Sequence, residues 1–129
     1  MVLGCVPGDI YYHLRMQIIT AFFEANSIHV VNLSRDVTKE KFLATAEAEH
    51  TQIIGLSTYV TTTSAQQRII VEYIKQMRGQ DAFITLIGGT GVPSDTWGQE
   101  IGADVTTRDL LTGFNAIKKL LKERRGIVF

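Results

Sequence analysis

The sequence predicts an α/β fold, a doubly wound parallel sheet of about five strands flanked by helices. Three observations predict it. Short apolar runs rich in Val, Ile and Leu recur along the chain. Longer stretches with helical spacing separate them. The two kinds alternate from the first residues to the last. Continuous apolar runs with little polar alternation suit parallel strands buried on both faces, and regular β-α alternation is the pattern of a Rossmann-like, flavodoxin-type sheet.

In chain order the strand runs are Val2–Val6, Ile28–Leu33, Ile53–Leu56 and Ala82–Ile87, with a weaker one at Ala103–Val105. Between them, Leu14, Ile18, Ala21, Phe22 and Ala25 form one helical stripe, and Phe42, Leu43 and Ala46 a shorter one. Ile69, Ile70, Tyr73, Ile74 and Met77 form the third, and Leu110, Phe114, Ile117 and Leu121 the last. Each follows the i, i+3, i+4, i+7 rule. Asn26-Ser27 and Gly79 stand where helices stop, and Pro93-Ser94-Asp95 reads as a helix start that Gly98 then weakens. Lys118, Lys119, Lys122, Arg124 and Arg125 crowd the last helical stretch, where positive charge favours the helix C-terminus and a solvated face. No linker, repeat or low-complexity segment interrupts the pattern, so residues 1–129 are expected to form one domain.

Composition narrows the function. Lys+Arg and Asp+Glu are both 13, a net charge of zero, which argues against a general nucleic-acid binder with its basic excess. Hydrophobic residues are 45% and charged residues 20%, as in a folded globular chain. The one cysteine, Cys5, permits no intramolecular disulfide, so a reducing, cytoplasmic setting is expected. Met1–Val6 is apolar but lacks a positive flank and meets Pro7-Gly8 at once, which fits neither a signal peptide nor a membrane span.

In a doubly wound sheet ligands bind beyond the carboxyl ends of the strands. The residues there are Asp9, Ile10, Tyr11, Tyr12 and His13 after the first strand, and Ser57, Thr58, Tyr59 and Thr61–Thr63 after the third. Gly88, Gly89 and Thr90 follow the fourth, and Thr106 and Thr107 the fifth. A dinucleotide site needs G-x-G-x-x-G in the first turn, which has only Gly4 and Gly8, with Leu14 where a small residue belongs. A flavin mononucleotide phosphate loop is rich in Ser and Thr, and this loop has neither. A phosphoacceptor domain needs a carboxylate after the third strand, where Ser57 stands. Cys5, inside a strand, reads as an inert buried thiol. His13, His29 and His50 show no metal-ligand spacing; His29 and His50 read as surface residues, while His13 sits on the rim. Singly, the other features have plain structural readings: Asp9 as an Asx-turn residue, Thr61–Thr63 as a helix cap, Gly88-Gly89 as a tight turn. Their joint placement at consecutive strand ends is the more specific signal.

These residues resemble the cobalamin-binding domain of corrinoid methyltransferases, methionine synthase and the cobalamin mutases. The matching pieces are Gly8-Asp9, Val31-Asn32-Leu33 with Asp36-Val37, Ile54-Gly55-Leu56-Ser57 with Thr61-Thr62-Thr63, Ile87-Gly88-Gly89, and Ile101-Gly102-Ala103-Asp104. The resemblance implies a cobalamin cofactor, held base-off. The dimethylbenzimidazole tail leaves cobalt and enters a slot lined, by position, by Ser57, Thr61, Gly88 and Gly89. Small residues and hydroxyls suit a flat aromatic tail with a ribose and a phosphate. The family's first loop is D-x-H-x-x-G, whose histidine ligates cobalt and whose aspartate holds that histidine.

This chain departs from that motif. Asp9 matches the aspartate, but Tyr11 stands at the histidine position, Leu14 at the final glycine, and His13 comes two residues late. Three arrangements for the lower face of cobalt follow, in the order favoured. In the first, no protein ligand binds and Tyr11 or Tyr12 packs beneath the corrin. In the second, His13 reaches the metal. In the third, Tyr11 coordinates through its oxygen, although a phenol stays protonated to about pH 10. Leu14 filling the slot, with cobalamin lost, is a fourth possibility. Without a lower donor, reduction of cobalt is expected to be easier.

The resemblance implies a methyl carrier without catalysis of its own, working with a separate methyltransferase or reductive-activation protein. The residues are expected to be the cobalamin domain alone, without the helical cap that precedes it in many corrinoid proteins. The alternatives are a cobalamin sensor, storage or chaperone module, or an interaction domain without cofactor.

Overall fold

Among the described residues the apolar runs become five strands, the four amphipathic stripes become helices, and a short further helix follows the Pro93 segment. In order they are β1 (Val2–Cys5), α1 (His13–Ala25), β2 (Val31–Ser34), α2 (Lys39–Ala48), β3 (Ile53–Ser57), α3 (Ser64–Arg78), β4 (Ile84–Gly88), α4 (Trp97–Ile101), β5 (Val105–Thr107) and α5 (Leu110–Arg125), with one 3-10 turn at Thr61–Thr63. The computed structural model describes residues 1–10, 13–107 and 109–128, and of His13 the backbone only. All strand pairings are parallel, in the order β2-β1-β3-β4-β5. The chain moves outward from β1 to β2, then crosses to β3, so the order reverses between β1 and β3. That reversal opens the crevice where such sheets bind ligands.

Side chains alternate across the sheet, and each face has its own core. On one face Val2, Ile54, Leu56 and Ile87 pack against Phe42 and Ala46 of α2, Ile70, Val71 and Ile74 of α3, and Ile101 of α4. On the other, Leu3, Cys5, Ile53, Ile84, Leu86 and Val105 pack against Met16 and Phe23 of α1 and Phe114, Ile117 and Leu121 of α5. Gly4 allows α2 to dock closely, because a Cβ there would lie 3.0 Å from the Phe42 ring.

Several expectations shift. Leu14 and Ile18 do not face the core; they are 68% and 55% exposed. The rotation of α1 is set by Phe23, which is buried, and Phe22, which meets Phe114 edge-on at 6.2 Å. Met16 and Ile19 precede Phe23 by seven and four residues and share its side, whereas Leu14, nine residues before it, lies about 180° away. Likewise Ile69 and Met77 are exposed while Ile70, Val71 and Ile74 are buried. β3, β4 and β5 extend through Ser57, Gly88 and Thr107, and α4 starts at Trp97 rather than beside Pro93. There Gly98 is required, since a Cβ on it would overlap the Thr106 hydroxyl. The last basic residues are tied down: Arg124 pairs with Asp104 at 2.9 Å, and Arg125 donates to Gln52 Oε1 at 2.7 Å.

Candidate functional site

The loop leaving β1 is held by the loop leaving β2. Gly8, at φ 86°, donates its N–H to Asp36 Oδ1 at 2.8 Å. The N–H of Asp36 donates to the Asp9 carbonyl at 3.0 Å, and Arg35 donates to the Ile10 carbonyl at 3.0 Å. This lock leaves the Asp9 side chain fully buried, where Oδ2 accepts the Tyr59 N–H at 2.5 Å. Asp9 is therefore no local Asx turn: it joins the β1 loop to the β3 loop across 50 positions. The Thr63 hydroxyl lies at 3.5 Å from Oδ2, at 2.6 Å from the Thr58 hydroxyl and at 3.0 Å from the Val60 carbonyl. Thr63 thus serves this loop, and the cap of α3 has no side-chain hydrogen bond. Asp9 Oδ1 has no partner among the described residues. A buried acceptor left unpaired is costly.

Beside it, between the sheet, α1 and α5, lies a cavity of about 480 Å³. Strand register explains its floor and rim. Leu3, Gly55 and Leu86 lie side by side in one row, and Ser57, Gly88 and Thr107 in the row two residues nearer the carboxyl ends. Arg15, Ile18, Ile19 and Phe23 of α1 supply one wall, and Leu110 of α5 another. Glycine occupies three of the sheet-side positions, each at a close approach of neighbouring atoms. A Cβ on Gly55 would sit 2.9 Å from Leu3 Cδ1, one on Gly88 3.1 Å from the Thr107 carbonyl, and one on Gly89 would overlap the Thr58 carbonyl. Gly89 also has φ 106°, which side-chain-bearing residues rarely adopt.

The cavity's electrostatics are quiet. Burial pushes the Tyr59 phenol up to about 12, and its hydroxyl contacts Met16 Sδ at 3.4 Å. Burial likewise pushes the Cys5 thiol up to about 12. Both are neutral at physiological pH. The Arg15 guanidinium lies 5.7 Å from the centre of the Tyr59 ring. Asp109 at the mouth has its carboxyl held below the usual range, first by the Thr112 hydroxyl and then by the Leu111 N–H, as it caps α5. No group of three or more His, Cys, Asp or Glu among the described residues could hold a metal ion unaided.

Of the residues the sequence singles out, Ser57, Tyr59, Gly88, Gly89, Thr90 and Thr107 line the cavity. Asp9 and Thr58 are buried beside it, in the loop network. Ile10 and Thr61 are exposed, outside the cavity wall, and Thr106 points to the opposite face, against Gly98. Tyr11, Tyr12 and the His13 side chain lie outside the described residues. Leu14 is not part of the wall, so it does not fill the slot. The sequence reading missed Gly55, Arg15, Ile19, Phe23, Leu86 and Leu110. Gly55 carried a usable signal, since a glycine inside a strand marks a place of close approach; the apolar residues looked like ordinary core.

Comparison with known proteins now decides the family. The B12 binding domain family matches residues 1–113. The chain belongs to this family. A corrinoid protein of Desulfitobacterium hafniense is 39% identical over 104 residues, covering 81% of this chain and 47% of the relative. Trimethylamine corrinoid protein 1 of Methanosarcina acetivorans is 34% identical over 105 residues, covering 81% and 48%. Among solved structures, a cobalamin-binding protein of D. hafniense superposes with a TM-score of 0.79 at 25% identity, over 92% of this chain and 57% of that one. The monomethylamine corrinoid protein of Methanosarcina barkeri gives 0.79 at 26%, over 92% and 56%. The chain spans about half the length of the curated relatives it matches.

A B12-binding domain holds cobalamin, and the residues present fit that group. The glycine-floored cavity stands at the switch point, and a buried acceptor, Asp9 Oδ1, is unused beside it. The chain is thus a corrinoid-binding protein related to methyltransferase corrinoid proteins. Among the described residues no helix is long and apolar enough to cross a membrane.

Proposed function

We propose that this chain carries cobalamin base-off and serves a separate methyltransferase, with no histidine under the cobalt. The observation that carries the reading is the open cavity between α1, α5 and the sheet, polar at the mouth and floored by Gly55. In this reading Ser57, Thr90, Thr107 and Arg15 bind the ribose and phosphate of the tail, and Leu3, Gly55, Phe23 and Leu86 exclude water from its ring. Asp9 ties the β1 and β3 loops together at the rim of the cavity that would hold the group. Tyr11 occupies the position where the family motif has histidine. When bound, cobalamin supplies a reducible cobalt able to accept a methyl group and give it up. Without a histidine donor from this chain, reduction of the bound group would be easier.

The relatives support the carrier class: proteins named trimethylamine corrinoid protein 1 and dimethylamine corrinoid protein 3 match this chain. The test is reconstitution with hydroxocobalamin, desalting, reduction, and exposure to methyl iodide. One methyl group taken up per protein-bound corrinoid, and passed on when a methyltransferase is added, is the expected result. Corrinoid retained but never methylated would replace the carrier reading with storage or sensing. A colourless protein after desalting would remove the cofactor itself.

A further inference from the structure

The cavity grades from polar to apolar with depth, and the gradient supports an inference that rests on the corrinoid-carrier reading. Arg15, Ile19 and Phe23 descend one wall of α1 at four-residue intervals, about 6 Å apart. On the sheet, the row of Ser57, Gly88 and Thr107 stands at the carboxyl ends, and the row of Leu3, Gly55 and Leu86 lies two residues below, about 6.6 Å deeper. The lining side chains that can hydrogen-bond are Arg15, Ser57, Tyr59, Thr90, Thr107 and Asp109. They come from strand ends, the loops after them, and the starts of α1 and α5. At the floor the side chains are apolar, and Gly55 and Leu86 are paired in the parallel ladder.

We propose that this cavity selects the chemistry of the corrinoid's nucleotide tail, accepting a benzimidazole and disfavouring a purine. The tail's ribose and phosphate belong at the polar mouth, so the edge of the base opposite the glycosidic bond meets the floor. On a dimethylbenzimidazole that edge is apolar. On an adenine it carries an amino group and ring nitrogens, which would lose water and gain no partner. Gly55 is the specificity-determining position because it sets the depth. A side chain there would press on Leu3, whose Cδ1 would be 2.9 Å from the new Cβ, and Leu3 lines the floor against which the far edge of the base would rest.

The experiment is equilibrium dialysis of the apo chain against three corrinoids: hydroxocobalamin, its 7-adeninyl counterpart, and cobinamide, which has no nucleotide tail. The adeninyl form is expected to bind at least about tenfold more weakly than the benzimidazole form, as when a buried polar group goes unpaired. Gly55→Val is expected to bring hydroxocobalamin down to the level of cobinamide and to leave cobinamide unchanged. Far-UV circular dichroism checks that the variant folds; if it does not, the three-way comparison on the unaltered chain decides alone. Equal affinity for the two tails overturns the selection and leaves the carrier reading standing. Equal affinity for hydroxocobalamin and cobinamide removes the tail from the cavity and so overturns it too. No binding of any corrinoid overturns both.

Discussion

The two faces of the sheet set their glycines against different neighbours. On the face covered by α2, α3 and α4, Gly4 is answered by Phe42, whose ring closes to 3.0 Å of the place a Cβ would take. On the face covered by α1 and α5, Gly55 floors a cavity of about 480 Å³. The first glycine serves packing density, which interiors maintain close to that of organic crystals. The second lies against Leu3 of its own sheet, whose Cδ1 is 2.9 Å from the place of a Cβ, and lines the cavity together with Gly88 and Gly89. Both faces carry a core, and the face of α1 and α5 is the one proposed to hold the ligand, so substitutions should separate accordingly.

The largest expected effect lies on the closed face. Phe42→Ala should lose about 3–5 kcal/mol in urea denaturation, the usual cost of emptying a fully buried aromatic site. The fraction still folded should bind hydroxocobalamin as before; a parallel loss of affinity would break the division of labour. Next comes Gly89→Ala. Its positive φ and the overlap with the Thr58 carbonyl should cost about 1–3 kcal/mol and abolish corrinoid retention on gel filtration. Stability falling with retention intact would place the ligand elsewhere.

Asp9→Ala should cost about 1–3 kcal/mol in thermal unfolding, because it leaves the Tyr59 N–H without its acceptor. Asp9→Asn, which keeps an acceptor, should cost less; equal losses would show that the charge and not the hydrogen bond holds the two loops. The smallest effect is at Leu14. Exposed and outside the cavity wall, its replacement by Ser should shift stability by no more than about 0.5 kcal/mol. A gain in corrinoid affinity from that change would mean that Leu14 does obstruct the slot in solution.

The sheet, its parallel sense and the end of it that matters were legible because continuous Val/Ile/Leu runs and their spacing report burial on two faces. The rotation of α1 was not. Apolar residues occur on nearly all its sides, and tertiary contacts, those of Phe22 and Phe23 with Phe114 among them, choose between them. At the rim, Ser57, Gly88, Gly89 and Thr107 stood out by residue type. Phe23 and Leu86 could not, because a residue lining an apolar cavity and one filling a core have the same chemistry. Asp9 was visible as a motif residue, but its partner lies 50 positions away and depends on how the β1 and β3 loops meet.

The central claim is that the open face holds cobalamin by its tail, with no imidazole beneath the metal. The visible spectrum of the reconstituted chain at neutral pH tests it most directly. The account predicts a base-off spectrum without histidine ligation, identical in His13→Ala. A histidine-ligated spectrum that His13→Ala abolishes would contradict it.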